Sequence, residues 1–405
     1  MIVCFGDCQF DLDRRELRLG KAPVHVEPQV FDLLSYLIAN RDRVVSKDEI
    51  FHAVWHGRFV SEATLSSRIN AARFAVGDNG KDQHFIRTIP RRGFRFVGEI
   101  QSPSDAAAPP ALNTIAASGI ESDIASKQDV TFCTAADGAR LAVASVGNGS
   151  VLVKTANWLN HVEFDWESPV WAPTFSRWAS RHRLIRYDQR GTGLSDWDTK
   201  EISFEAFVRD LEAVTTALRL DRFALFGISQ GASVAIAYAA RYPERVSKLV
   251  LHGAYVLGRN KRDTAFDREQ AAAYLTLVRH GWGYSNSAFM QAFSSLYLPS
   301  GTPEQIRWFS ELQRLTTSPE NAVRIRNACD DIDILDLLPR VRAPTLVTHS
   351  RHDNVVAFDH GRTIASAIAG ARFVGLESSN HVILPNEPAW NDWMREIERF
   401  LTEPG

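Results

Sequence analysis

Ser229 stands between two glycines, in Gly227-Ile228-Ser229-Gln230-Gly231. The apolar run at residues 222–226 reads as a strand, and residues 232–240 read as a helix. A serine at such a strand-to-helix turn fits the G-x-S-x-G pattern of a nucleophile elbow. The turn is too tight for flanking side chains, which accounts for the glycines. Its strain lifts the Ser229 hydroxyl above the sheet. The backbone N–H of Gln230, at the start of the helix, faces the position where an oxyanion develops. The chemistry this suits is attack of serine on a carbonyl. The competing reading is a plain Gly-Ser turn joining a buried strand to a helix.

The 405 residues suggest two or three domains. With 45% hydrophobic and 23% charged residues, the composition is that of an ordinary globular protein. The net charge of −2 names no partner, but its distribution is informative. Residues 1–100 carry 15 Lys/Arg against 13 Asp/Glu, and residues 68–97 carry seven basic side chains against two acidic ones. That stretch forms a local basic surface. The four cysteines Cys4, Cys8, Cys133 and Cys329 form no C-x-x-C pair and read as reduced thiols of a cytoplasmic protein. No signal peptide, membrane-spanning run or repeat is evident. No metal or cofactor is expected. His349, His352 and His360 lack ligand spacing and read as solvent-exposed.

In chain order, strands are expected over Ile2–Phe10, Glu16–Leu19 and Val24–Val26. Helices follow over about Pro28–Asn40, after Ser46, and from Ser61 to about Val76. Ser46 with Glu49 forms a capping box for the second helix. A hairpin then closes around Pro90-Arg91-Arg92. The third helix sets Leu65, Ile69, Ala72 and Val76 on an apolar side, and Arg68, Asn70 and Arg73 on a polar one. Such a helix suits a major groove, with Arg and Asn at base edges. Arg87, Thr88, Arg91 and Arg92 on the hairpin suit phosphates or a minor groove. Residues 1–99 resemble the OmpR/PhoB-type winged helix-turn-helix DNA-binding domain. The resemblance rests on Val44-Val45-Ser46-Lys47-Asp48-Glu49, on Thr64–Gly77, and on Ile86-Arg87-Thr88-Ile89-Pro90-Arg91-Arg92-Gly93-Phe94-Arg95-Phe96. It implies an operator in double-stranded DNA as partner, a homodimer on tandem half-sites, and residence at the nucleoid when bound. It begins at residue 1, so no phosphate-accepting receiver domain is expected ahead of it.

Residues 100–128 are rich in Ala, Pro and Ser and read as a flexible linker. From residue 129 strands and helices alternate, which implies a mostly parallel sheet covered by helices on both faces. The alternation stops over about 255–338, which reads as a helical cap. The expected architecture is therefore multidomain: an α+β winged helix-turn-helix, then an α/β domain over 129–405.

This second part resembles the α/β-hydrolase family over about 130–402. The elbow carries the resemblance, together with Tyr187-Asp188-Gln189-Arg190-Gly191-Thr192-Gly193-Leu194-Ser195. The family's chain order of Ser, acid, His implies a triad of Ser229, Asp353 and His381, the last two just past strand ends. His381 would take the serine proton and Asp353 would hold its tautomer. The segment Lys154-Thr155-Ala156-Asn157-Trp158-Leu159-Asn160-His161 departs from the His-Gly that many hydrolases carry after the third strand. There the N–H near Asn157 joins Gln230 as the oxyanion donors, while Trp158, Trp166 and Trp171 line a pocket. The expected function is transcription regulation, with the hydrolase-like domain binding an apolar or aromatic small-molecule effector that it cleaves slowly or not at all. The alternatives are a serine hydrolase of esters, lactones or amides tethered to DNA by its winged helix, and a non-catalytic scaffold.

Overall fold

The computed structural model describes residues 2–100 and 128–403, apart from 7, 13, 21, 25, 27, 56–61, 79–82, 90–91, 99, 263 and 284–287. Nearly all of the expected linker, and Arg91 of the hairpin, lie outside the described residues. The residues on either side of 101–127 belong to two compact units.

The first unit opens with a four-stranded antiparallel meander: β1 Ile2–Phe5, β2 Cys8–Asp11, β3 Glu16–Leu19 and β4 Ala22–Val24. The single strand expected over Ile2–Phe10 is in fact a hairpin. Gly6 takes φ +51°, which turns the chain and pairs Phe5 with Cys8. Cys4 and Cys8 therefore lie on neighbouring strands instead of along one. Helix α1 spans Pro28–Ala39, α2 Lys47–Trp55 and α3 Glu62–Ala75. The apolar side of α1, from Val30 to Ile38, is buried as its spacing implies. Ser46 Oγ accepts the Glu49 N–H at 3.2 Å, and the Glu49 carboxylate accepts the Ser46 N–H at 2.9 Å, so the capping box is formed. Strands β5 Ile86–Ile89 and β6 Gly93–Phe96 make the wing. Val45 exchanges both backbone hydrogen bonds with Phe94 (2.8 and 2.9 Å), which ties the wing to the entry of α2.

The second unit is built on an eight-stranded sheet. Its strands are β7 Asp129–Thr134, β8 Arg140–Val146, β9 Ser150–Lys154, β10 His182–Tyr187, β11 Phe223–Ile228, β12 Val246–His252, β13 Thr345–Ser350 and β14 Arg372–Leu376. The spatial order is β14-β13-β12-β11-β9-β10-β8-β7. Strands β9 to β14 pair in parallel, while β7 and β8 add an antiparallel edge. Helices α4 Ala172–Ala179, α5 Phe204–Ala217 and α6 Gln230–Arg241 alternate with the strands. Among the described residues four α-helices then interrupt the alternation between β12 and β13: α7 Ala265–Gly281, α8 Ala288–Tyr297, α9 Pro303–Thr316 and α10 Pro319–Asp330. These form the expected cap. Helix α11, Phe358–Ala367, escapes the sequence reading because only Gly361 and Ile364 of it are buried, which leaves little apolar periodicity. Helix α12 closes the unit over Pro388–Thr402.

Two features hold the site's strands in place. Phe226 of β11 packs against Trp178 and Trp393, with ring centroids 4.7 and 6.0 Å away. Trp393 also donates its indole N–H to Thr348 Oγ1 on β13, at 3.1 Å. One aromatic cluster thus fixes the strand that delivers the serine against the strand that delivers the acid.

Candidate functional site

Ser229 leaves β11 with φ 53° and ψ −128°, a left-handed conformation that L-residues rarely adopt. Its N–H is anchored on the His252 carbonyl at 3.0 Å. Close packing of the elbow on the loop after β9 explains Gly231. A Cβ there would lie 2.5 Å from the Ala156 carbonyl oxygen.

Asp353 and His381 occupy the turns after β13 and β14, and both side chains are buried. Their contact is short, with His381 Nδ1 2.6 Å from Asp353 Oδ2. An ionised carboxylate only accepts hydrogen bonds, so Nδ1 carries the proton of this contact. The other carboxylate oxygen, Oδ1, accepts the N–H groups of Val355 and Val356 at 2.8 and 3.0 Å. Burial alone pushes the Asp353 carboxyl up. The adjacent imidazole and these hydrogen bonds overcome that and hold it below its usual range. His381 is fixed through its backbone as well: its N–H donates to the Tyr297 carbonyl at 2.8 Å. His252 Nε2 lies 3.2 Å from the His381 carbonyl oxygen. Burial drives the pKa of His252 down to about 3, so this support is neutral. Gly253 gives the imidazole its space. It has φ +52°, and a Cβ would sit 2.9 Å from His381 Cε1. His381 Nε2 is buried and without a hydrogen-bond partner among the described residues. It and Ser229 line one cleft.

The loop after β9 is braced from below. Lys154 Nζ donates to Asn157 Oδ1 at 2.5 Å and to the Thr155 carbonyl at 3.1 Å. Burial lowers the Lys154 ammonium to about 8, even with Asp165 nearby. Asn157 lines the same cleft as Ser229, and Gln230 is the first residue of α6, where an N–H has no intrahelical acceptor. Asn157 thus shares a cleft with Ser229, and Gln230 follows the serine in the chain. Two of the histidines expected at the surface are partly or wholly enclosed. His349 is buried with Nε2 2.9 Å from the Val356 carbonyl oxygen, and burial lowers His360 to about 4.

In the first unit Asn70 is exposed on α3 and Arg68 is partly exposed. Arg73 departs from the expected polar face. It is 5% exposed, and its guanidinium donates to the Ile86 carbonyl from Nε (3.0 Å) and Nη2 (2.9 Å), and to Thr88 Oγ1 at 2.8 Å. The reason is register: Leu65, Ile69 and Arg73 follow one another at four-residue intervals, so position 73 continues the buried face. Arg73 thus joins α3 to the wing. Thr88 is exposed but already occupied by that bond, while Arg87 and Arg92 are exposed. Phe74 was missed, although it is 86% exposed and stands four residues beyond Asn70 on the same face of α3. An apolar residue on the polar side of the helix was the available signal.

Residues 157–388 match the alpha/beta hydrolase fold family. The chain belongs to that family. Residues 20–96 match the C-terminal domain of transcriptional regulatory proteins, the OmpR/PhoB-type winged helix-turn-helix, so the protein fuses a DNA-binding regulator domain to an α/β-hydrolase domain. The α/β-hydrolase part is 27% identical over 243 residues to a putative carbamate hydrolase, RutD, of Rhizobium rhizogenes, covering 57% of this chain and 87% of that protein. It is also 27% identical over 256 residues to the AB hydrolase superfamily protein YisY of Bacillus subtilis, covering 60% of this chain and 88% of that one. Among solved structures, the fold is shared with an esterase from Exiguobacterium antarcticum. The TM-score is 0.57 at 23% identity, covering 67% of this chain and 99% of that one. No helix among the described residues is long and apolar enough to cross a membrane.

Two narrow clefts meet at Ser229 in the α/β-hydrolase unit. Ser229, Trp158 and Tyr297 wall both. The second cleft is apolar and includes Trp171, Phe309 and Val382. Trp158 and Trp171 thus stand where the sequence suggested, but Trp166 does not. It packs under the Arg186 guanidinium, 5.4 Å from its ring centroid, and lines neither cleft. The first cleft differs from the apolar pocket that was expected. Arg259, Arg262, Arg326 and Asp330 line it. These residues come from the cap and its approach, where no motif marks them.

Proposed function

We propose that this protein is a transcriptional regulator whose α/β-hydrolase unit binds a small-molecule effector and slowly cleaves an ester, lactone or amide bond in it. The observation that carries the reading is the buried His381–Asp353 pair at 2.6 Å beside the strained Ser229, in a chain that also holds a DNA-binding domain. In the proposed reaction His381 Nε2 takes the proton from Ser229 Oγ as the oxygen attacks the carbonyl carbon. The N–H groups of Asn157 and Gln230 hold the oxyanion. The proton passes to the leaving group, and water activated by the same imidazole then releases the acid and frees the serine. Bound effector shifts the occupancy of operator half-sites by a homodimer. Moving that balance from 1:99 to 99:1 takes about 10⁴-fold preference for one state.

The test is salt-sensitive binding of the purified protein to the DNA upstream of its own gene, measured with and without candidate esters and lactones. DNA occupancy that no such compound alters, across a broad panel, sinks the effector role. The second reading is a hydrolase that the winged helix only tethers to DNA, and the completeness of the Asp353–His381 pair favours it. Rapid Ser229-dependent turnover with no effect of substrate on DNA occupancy would select it.

A further inference from the structure

The first cleft holds more positive charge than the protein balances. Arg326 on α10 and Arg259 after β12 have side chains only 7% and 8% exposed. Both lean on one carboxylate, Asp330, itself 4% exposed. Arg326 donates to Asp330 Oδ2 from Nε at 2.9 Å and to Oδ1 from Nη2 at 2.5 Å, while Arg259 Nη1 reaches Oδ1 at 3.4 Å. Arg259 Nε also donates to Gln270 Oε1 at 3.2 Å. Among the described residues no acceptor is found for Arg326 Nη1 or Arg259 Nη2. Of the other acids near by, Asp267 pairs with Arg262 at 3.1 Å, and Asp331, which does not line the cleft, accepts from Asn260 at 2.8 Å. Tyr255, Tyr297 and Cys329 supply no anion, because burial raises all three, the thiol to about 12. The faces of Trp158 and Tyr274 meet the two guanidiniums at 5.2 and 4.7 Å, which softens the imbalance without neutralising it. In addition, the side-chain amide of Gln230, 1% exposed, lines this cleft with neither its oxygen nor its nitrogen partnered among the described residues.

We propose that the first cleft is a carboxylate subsite: Arg259 and Arg326, with the Gln230 amide, receive a carboxylate at one end of the effector and so place its ester or lactone carbonyl at Ser229. The apolar second cleft takes the other end. This deepens the reading above and rests on it for the position of the scissile bond. The chemistry fits because a planar carboxylate accepts parallel N–H donors from guanidinium groups, in charge-assisted bonds stronger than neutral ones. Two buried arginines sharing one carboxylate leave room for a second acceptor, and an anionic ligand supplies it.

The full-length protein tests this in two ways. In the first, kcat/KM is compared for the mono-p-nitrophenyl esters of succinate and glutarate and for p-nitrophenyl butyrate and valerate. The charged esters are favoured by about tenfold or more at low salt, the scale of one charge-assisted contact. Arg326→Gln and Arg259→Gln each lower that ratio, while Asp330→Asn, which frees both guanidiniums, raises it. Equal use of charged and neutral esters by the parent, or Arg variants that leave the ratio intact, overturns the proposal. The second arm needs no turnover. Calorimetric binding of the unbranched dicarboxylates from succinate to suberate is compared with that of their diamides, in the parent and in Ser229→Ala. Dicarboxylate binding that Arg326→Gln weakens upholds the subsite even if no ester is cleaved, and in that outcome only the hydrolytic reading fails. Absence of any preference for dicarboxylate over diamide overturns the subsite while leaving hydrolysis standing.

Discussion

The two units place their working residues in opposite ways. On the winged helix the candidate contacts stand at the surface, where Asn70, Arg87 and Arg92 are exposed. Their geometry depends on side chains that are not themselves exposed. In the hydrolase unit Ser229, Asp353 and His381 are enclosed, and each is held by backbone strain or by a buried partner. A surface that must meet a macromolecule keeps its donors solvated and charged. A site that must move a proton desolvates them and fixes their tautomers. A charged residue therefore cannot be assigned a role by type alone. Arg73 and Arg92 are the same residue in one small domain, yet the first supports the fold and the second faces solvent.

The contrast can be broken by mutation, and the largest effect should come from the enclosed site. Ser229→Ala is expected to abolish fluorophosphonate labelling and to lower any ester hydrolysis by about 10⁴-fold or more, while DNA affinity without ligand stays as in the parent. A loss of DNA binding in this variant would mean that the two regions are not separable. Gly253→Ala comes next. The added methyl meets His381 and the backbone φ is strained, so kcat/KM should fall about 100-fold through misplacement of the imidazole. A rate within a factor of two of the parent would show that the ring has slack. Arg73→Ala should then lower the stability of the winged-helix unit by about 2–3 kcal/mol, read by chemical denaturation, because it leaves the Ile86 carbonyl without its charged donor. If melting is unaffected and only base preference changes, Arg73 reads DNA and the register argument is wrong. Arg92→Ala is the mildest. It should leave stability unchanged and weaken binding evenly across sequences, flattening the salt dependence by about one unit of slope.

Much of this architecture was legible in the sequence. The elbow and the Ser46–Glu49 capping box are local patterns, and local patterns survive into the fold because the chain itself sets their geometry; Asp353 and His381 were picked out only by the chain order that the family resemblance implies. Other features were not legible. Gly6 ends a strand that alternation alone would have continued. Arg73 reads as polar surface until one sees that its fork reaches two acceptors on the wing. The arginines of the first cleft are ordinary cap residues in sequence, and only folding brings residues 259, 326 and 330 together beside residue 229. Long-range juxtapositions of this kind leave no periodic trace. The pocket's apolar half was foreseeable from its tryptophans, but its charged half was not.

Trp158 and Tyr297 are common walls of both clefts, and this bears on how small inhibitors should behave in pairs. A fragment that fills the charged half and one that fills the greasy half each press on the same two rings, yet they share almost no footprint. The two should therefore bind together, with intersecting lines in a double-inhibitor plot, and a linker of the right length should merge them into a single tight binder.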